Sequence, residues 1–265
     1  MNSHALVTIR TSPNPQCSVV IFPGAGGAAH SYSDWDNYLD PSLNVYAFEY
    51  AGHGRRASEA VIDDFNVVLR EIVGALAPHL DLPLMLVGES MGGLYALEAA
   101  AKIAVKTKVY PQEIFVLSCS PVHQMRSEKL KRWLSLSDDD LVNELYGLGG
   151  LNQDLMQDDS WLDYFLPVIR ADFRAVMNYS SNLKFPLDCR LTVLLGQEDP
   201  YCVVDEVPQW KGVVRSNPTV HTFSGGHSFA LSHHQGICTL INAAHSSCIP
   251  PPLRPKIRND DWPLE

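Results

Sequence analysis

The chain has 265 residues, of which 46% are hydrophobic and 19% charged, so it can bury the core of one globular domain with an insertion. Its formal net charge of −10 at pH 7 argues against binding to nucleic acid or to an anionic membrane. The six cysteines form no Cys-x-x-Cys pair, so we expect no zinc site. No segment has the pattern of a signal peptide or a membrane span, so we expect a cytoplasmic protein.

Strand and helix patterns alternate through the first half of the chain. Short apolar runs predict buried strands at residues 18–22, 44–50, 84–88 and 114–118. Apolar residues three and four apart predict a long amphipathic helix at residues 62–80, and a second helix begins at Met91. This order predicts an α/β fold with a mostly parallel central sheet and helices on both faces.

The pattern changes at residue 122, because from there to residue 187 only helical signals occur. Strands resume at residues 190–196 and 220–223, and a last helix is expected at residues 229–244. A helical block between two strands of one sheet indicates a lid over the carboxyl edge of that sheet. We therefore divide the chain into a core, a helical lid and a proline-rich tail, with bounds at 1–121 (core), 122–187 (lid), 188–248 (core) and 249–265 (tail).

A Gly88-x-Ser90-x-Gly92 segment lies between a predicted strand and a predicted helix. The glycines allow a turn so tight that the serine is strained, with its hydroxyl at the carboxyl end of the sheet. The start of the following helix offers N–H groups and a positive dipole end to an oxyanion. This is the nucleophile-elbow pattern of the α/β-hydrolase fold, although small residues here would also serve close packing of a helix on a strand.

The glycine-rich segment at residues 23–27 follows the first predicted strand. In an α/β-hydrolase this loop supplies one backbone donor for the oxyanion, and the residue after the nucleophile supplies the other. The segment lacks the Gly-Lys-Ser/Thr ending of a phosphate-binding loop, which argues against nucleotide binding. A plain glycine-rich turn is the alternative.

A serine nucleophile needs a base and an acid that orients the base, and in this fold they follow in the order serine, acid, histidine. Ser90, Asp199 and His227 have that order, and Asp199 and His227 each follow a predicted strand. Of the ten histidines, only His227 combines such a position with flanking glycines. Glu198 is a rival for the acid, and Asp205 is a weaker candidate further along the same connection.

Six segments together resemble the type II thioesterases, the free-standing editing hydrolases of non-ribosomal peptide and polyketide synthesis. The most specific is residues 166–173, which is similar to the family's Leu-Pro-x-x-Arg-Ala-Asp-Phe sequence in the lid. The others are residues 22–27, 52–56, 88–92, 196–199 and 225–229.

The resemblance implies Ser90 as nucleophile, His227 as base and Asp199 as orienting acid. It implies hydrolysis of acyl thioesters on the phosphopantetheine arm of an acyl or peptidyl carrier protein, without a cofactor or metal. A general carboxylester hydrolase would share these residues, and a non-catalytic ligand-binding protein would share the fold.

The same resemblance implies an oxyanion hole made of two backbone N–H groups. Ala25 in the glycine-rich loop would donate one, with Gly24 as the alternative. Met91, the residue after the nucleophile, would donate the other.

Three positions depart from the family's sequence. Glu89 replaces a histidine before the nucleophile, His53 replaces an arginine, and Ala51 replaces a proline. A carboxylate near the imidazole would favour its protonated form, unless Glu89 is paired elsewhere, for example with Arg55 or Arg56.

One short stretch of the predicted lid is basic in an otherwise acidic chain. It carries Arg126, Lys129, Lys131 and Arg132. Because carriers of this class are generally acidic around their attachment serine, as the resemblance implies, the stretch could dock the carrier. A solvated helix face is the alternative.

Overall fold

A seven-stranded sheet forms the centre of the computed structural model, which describes residues 5–121, 128–151, 154–179 and 186–247. The strands are β1 (Leu6–Arg10), β2 (Cys17–Phe22), β3 (Leu43–Phe48), β4 (Leu84–Glu89), β5 (Glu113–Leu117), β6 (Arg190–Gly196) and β7 (Thr219–Phe223). Their order across the sheet is β1-β3-β2-β4-β5-β6-β7. All neighbours are parallel except β1, which runs antiparallel to β3. The predicted fold class is confirmed, and of these strands only β1 was not predicted from the sequence.

Six α-helices are present within the described residues. They are α1 (Phe65–Leu76), α2 (Met91–Thr107), α3 (Glu128–Ser135), α4 (Asp138–Gly147), α5 (Asp159–Met177) and α6 (His234–Ser246). The first and last of them are shorter than the apolar patterns at residues 62–80 and 229–244 predicted. Asp64 begins α1, because its carboxylate accepts the N–H groups of Asn66 and Val67, and a 3-10 turn at Ala77–His79 ends it. A separate 3-10 turn at Phe229–Leu231 precedes α6.

The sheet is apolar on both faces because its parallel strands are covered on both sides. Along β2, Val20 and Phe22 belong to the core shared with α1 and α2. Val19 and Ile21 point the other way, into a second core shared with α6 and with the 3-10 segment Ala29–Asn37. Side chains that alternate along the strand therefore bind helices to both faces.

Between β5 and β6 the described residues contain α3, α4 and α5, which we call the helical insertion. Ser137 begins α4 by accepting the N–H of Asp140. Arg170 of α5 donates to the carbonyl of Leu136 and to Asp138, so α5 is bound to the end of α3 and the start of α4. The proline-rich tail at residues 249–265 lies outside the described residues. Within the described residues, no helix combines the length and apolar character needed to cross a membrane.

Candidate active site

The turn between β4 and α2 holds Ser90 in a conformation that L-residues rarely adopt, with φ 50° and ψ −114°. Gly88 and Gly92 have to be glycines, because a side chain at either position would collide with the backbone. A Cβ atom on Gly88 would lie 2.3 Å from the carbonyl oxygen of Gly92. A Cβ atom on Gly92 would lie 2.0 Å from the carbonyl oxygen of Phe22. The chain therefore accepts strain at a serine and close backbone packing around it, as expected of a nucleophile elbow.

Three side chains that lie far apart in the sequence meet beside this turn. His227 Nε2 lies 3.1 Å from Ser90 Oγ, and His227 Nδ1 lies 2.9 Å from Asp199 Oδ2. Asp199 follows β6 and His227 follows β7, so the carboxyl edge of the parallel sheet brings both loops to Ser90. With Nδ1–H donating to the carboxylate, Nε2 is left to accept the serine proton.

Asp199 is the acid that contacts His227. Burial works to raise the pKa of Asp199, but hydrogen bonds from His227 and from the backbone N–H groups of Tyr201 and Cys202 outweigh it and lower that pKa. Glu198 instead accepts the backbone N–H of Gly225, and Asp205 is exposed. Neither rival forms a hydrogen bond or ion pair with His227 in the described part of the chain.

Two serines after β5 support the site, and neither was predicted from the sequence. Ser118 Oγ donates to the carbonyl oxygen of His227 at 2.5 Å, from a backbone conformation with φ 45°. Ser120 Oγ lies 3.3 Å from the carbonyl oxygen of Tyr201, in the loop of the acid. Both serines follow a strand at the carboxyl edge of the sheet, and that position was the available signal.

The two N–H groups predicted for the oxyanion hole belong to residues that line the cavity of Ser90. Ala25 and Met91 line the same cavity as Ser90 and His227. In the described parts of the chain, neither N–H has a protein acceptor. Both are therefore available to a ligand oxygen.

The cavity at Ser90 has a volume of about 440 Å³, enough for an acyl chain or part of a pantetheine arm. Its walls come mainly from the helical insertion and from the loop after β6. They carry large apolar and aromatic side chains, among them Leu130, Trp133, Phe173, Val176 and Tyr201. The site thus combines a few polar groups at its base with an apolar wall.

Glu89 does not pair with either arginine considered in the sequence analysis. Its Oε2 accepts the hydroxyl of Tyr32 at 2.7 Å. Arg56 is bound by Glu59 and Glu71, both at 2.7 Å, so its charge is already matched. Burial raises the pKa of Glu89, and the Tyr32 hydroxyl opposes that rise only in part.

The basic stretch of the insertion is largely paired with acidic side chains of the insertion itself. Lys131 Nζ lies 2.8 Å from Glu128, and Arg132 forms an ion pair with Glu144. Lys129 Nζ lies 3.2 Å from the centre of the Tyr201 ring, beside the cavity. Arg126 lies outside the described residues. Docking of a carrier here stays a prediction, and the internal pairs reduce the field that would steer it.

Within the described part of the chain, one group of three side chains could hold a metal ion. Asp199, Cys202 and His227 offer ligand atoms within 4.8 Å of one another. A metal there would compete with the hydrogen bond between His227 and Asp199, which already uses both groups.

Comparison with known proteins places the chain among thioesterases. The thioesterase domain profile matches residues 18–245. The human medium-chain S-acyl fatty acid synthase thioesterase is 26% identical over 233 residues, which are 87% of each protein. The AMB antimetabolite synthetase AmbE of Pseudomonas aeruginosa is 27% identical over 240 residues, 90% of this chain but only 11% of AmbE. The structure of BorB, a type II thioesterase from the borrelidin biosynthetic cluster, superposes with a TM-score of 0.81 and 27% sequence identity. The match covers 90% of this chain and 96% of the BorB chain.

Proposed function

The chain belongs to the thioesterase domain family, and from that premise we propose that it hydrolyses acyl thioesters through an acyl-enzyme on Ser90. The observation that carries this proposal is the 3.1 Å contact between Ser90 Oγ and His227 Nε2 at the base of an apolar cavity. Serine needs such a base, because its hydroxyl is a weak nucleophile at neutral pH.

In the first half of the reaction, Ser90 Oγ attacks the thioester carbonyl carbon while His227 Nε2 takes the hydroxyl proton. Negative charge then develops on the carbonyl oxygen, where the N–H groups of Ala25 and Met91 would stabilise it. When the C–S bond breaks, the proton on His227 passes to the thiol sulfur. The acyl group remains as an ester on Ser90.

In the second half, water replaces the thiol. His227 takes one proton from the water, whose oxygen attacks the acyl-enzyme carbonyl. Collapse of the second tetrahedral intermediate returns the proton to Ser90 and releases a carboxylic acid. Throughout, Asp199 would hold the Nδ1–H tautomer of His227 and stabilise the imidazolium ion.

The acyl group would arrive on the phosphopantetheine arm of an acyl or peptidyl carrier protein, and its release would serve editing in non-ribosomal peptide or polyketide synthesis. Two similarities support this substrate class. One is to a type II thioesterase of a biosynthetic cluster, and the other is to a segment of an antimetabolite synthetase.

Release of thiol from acyl-pantetheine thioesters tests the activity. Ser90→Ala and His227→Ala should each reduce kcat by at least about 10³-fold while the protein stays folded, because the three residues act together. His233→Ala is the matched control, since its ring contacts Ser224 instead of Ser90. Failure of wild type to react with a fluorophosphonate would indicate a non-catalytic protein, and a higher kcat/KM on the matching oxygen esters would indicate a carboxylester hydrolase.

The carrier is tested by a second comparison. Lys131→Glu with Arg132→Glu reverses two exposed charges of the insertion. If this face docks an acidic carrier, kcat/KM on the acyl carrier should fall about two- to fivefold at low salt, and the loss should shrink in high salt. A small acyl-cysteamine thioester should react as fast as with wild type. Equal losses on both substrates would mean damage to the cavity, and no loss on either would exclude this face from docking.

A further inference from the structure

Asp172 of α5 is a buried carboxylate that the proposed chemistry does not use. Its Oδ2 accepts two hydrogen bonds, from the backbone N–H of Gly26 at 2.7 Å and from His53 Nε2 at 3.0 Å. Both Asp172 and His53 are almost fully buried, at 4% and 2% exposure. One carboxylate on the helical insertion therefore binds two loops of the core, one after β2 and one after β3.

His53 has an acceptor at each ring nitrogen. Nε2 faces Asp172, and Nδ1 lies 3.1 Å from the carbonyl oxygen of Ala51. A neutral imidazole carries one N–H, so it would leave one nitrogen lone pair against an oxygen. Beside an ionised Asp172, only the doubly protonated ring satisfies both contacts, and the pair is then an imidazolium and a carboxylate.

Several titratable and aromatic groups surround the pair. Glu49 is the further carboxylate near His53, and the ring of Tyr50 packs 5.4 Å from the imidazole. The phenols of Tyr95 and Tyr164 lie near Asp172. Burial alone lowers the pKa of His53, but the hydrogen bond and charge of Asp172, with help from Glu49, raise it.

The loop that Asp172 holds contains Ala25, one residue before Gly26. Gly26 has φ +72°, and a Cβ atom there would lie 2.6 Å from Phe165 Cε2, so α5 also packs directly on this loop. On its other side, the loop is held by the hydroxyl of Tyr50, which donates to Pro23 at 3.0 Å. The peptide that carries the Ala25 N–H is thus held between contacts at Pro23 and at Gly26.

We propose that Asp172 and protonated His53 are positioning residues, which hold the loop at residues 23–27 so that the Ala25 N–H faces the oxyanion formed at Ser90. This inference rests on the proposed hydrolase function. The pair acts through Gly26 and does not touch the substrate. Because the oxyanion exists only in the transition state and the intermediates, a misplaced donor lowers kcat more than it raises KM.

The test compares Asp172→Asn and His53→Gln with wild type. Asparagine keeps the shape and can still accept the Gly26 N–H, but it carries no charge to pair with His53. Glutamine at position 53 can still donate to Asp172, but it stays neutral at every pH. Each variant should lower kcat about 10- to 100-fold with KM changed less than about threefold, which is part of the effect of losing an oxyanion donor. Asp163→Asn, an exposed aspartate of the same helix, and His30→Gln are the matched controls.

The pH profile separates this role from that of His227. His227 must be neutral to act as a base, so it limits kcat on the acidic side. His53 must be charged, so wild-type kcat should fall on the alkaline side as His53 loses its proton, and His53→Gln should lack that alkaline fall. Both variants within about twofold of wild type, with the same pH profile, would overturn the proposal.

A measurement on wild type covers the case in which a variant does not fold. Imidazole ¹H–¹⁵N NMR should show His53 doubly protonated at pH 7, above the ordinary pKa of histidine. A neutral His53 at pH 7 would overturn the proposal even if hydrolysis is confirmed. An inactive wild type with a doubly protonated His53 would instead overturn the hydrolase function, and with it any role for the pair in catalysis.

Discussion

Asp199 Oδ2 lies 2.9 Å from His227 Nδ1, while the carboxylate of the preceding residue, Glu198, accepts the backbone N–H of Gly225. Two adjacent acids on one loop are thus turned to different partners. Asp199 is 4% exposed and Glu198 is exposed, so only Asp199 acts on the imidazole from a site with little solvent.

This difference predicts unequal losses of activity. Asp199→Asn should lower kcat about 10³- to 10⁴-fold, because a neutral amide neither selects the correct His227 tautomer nor stabilises the imidazolium. Glu198→Gln should change kcat less than about threefold. Steady-state thiol release measures both, and the reverse ranking would assign the acid role to Glu198.

The glycine at position 92 should be irreplaceable. Gly92→Ala places a Cβ atom 2.0 Å from a backbone carbonyl that cannot move freely, so the free energy of unfolding should fall by about 3 kcal/mol or more. Gly74→Ala is the control, because Gly74 is exposed in α1 with nothing within 4 Å of the added atom. That change should raise stability by about 0.4–1 kcal/mol. Urea unfolding measures both, and similar effects at the two positions would contradict the packing argument.

Glu89 should reduce stability at neutral pH. Because burial raises the pKa of Glu89, the folded state binds this proton more tightly than the unfolded state. The stability that comes from binding this proton is therefore complete below the pKa of Glu89 in the unfolded state. It is lost as pH rises through the pKa of Glu89 in the folded state. Glu89→Gln, which can still accept the Tyr32 hydroxyl, should raise Tm at pH 7 by about 2–4 °C, the shift that about 1 kcal/mol produces.

The pH dependence of that difference is the sharper measurement. Calorimetric scans from pH 8 to pH 5 should show the gap between Glu89→Gln and wild type narrowing as pH falls. Tyr32→Phe removes the hydroxyl that favours the charged form, so it should lower Tm at pH 7. A gap that widens towards pH 5 would show that Glu89 is stabilising as a carboxylate.

Tyr201 should limit the length of the acyl group. Tyr201 lines both the cavity at Ser90 and a second cavity of about 580 Å³, and its ring is held by Lys129 on its face and by Trp133 at a ring distance of 5.4 Å. Tyr201→Ala should open one cavity to the other and keep the backbone N–H that holds Asp199 at 2.8 Å.

The readout is the ratio of kcat/KM for dodecanoyl to butanoyl thioesters. This ratio should rise about tenfold in Tyr201→Ala, roughly the effect of seating one or two more methylene groups. Tyr201→Phe keeps the wall and should leave the ratio unchanged. An unchanged ratio in Tyr201→Ala would place the acyl chain elsewhere.

Much of the fold followed from local patterns. Gly88 and Gly92 specify the turn at Ser90 by the absence of side chains, and the period of apolar residues specifies which face of α1 is buried. The order of Ser90, Asp199 and His227, each after a predicted strand, was enough to expect them together, because parallel strands end at one edge of a sheet. The antiparallel strand β1 was missed, since a five-residue edge strand with one buried residue, Val7, has little pattern to read.

The sequence by itself determined the turn at Ser90, the alternation that builds the sheet and the order of the three site residues. Only the tertiary structure decided which partners the titratable side chains Glu89 and His53 meet. Glu89 meets Tyr32, 57 residues away, and His53 meets Asp172, 119 residues away. Local propensity acts over a few residues, but a contact between distant side chains depends on how helices and loops pack on the sheet.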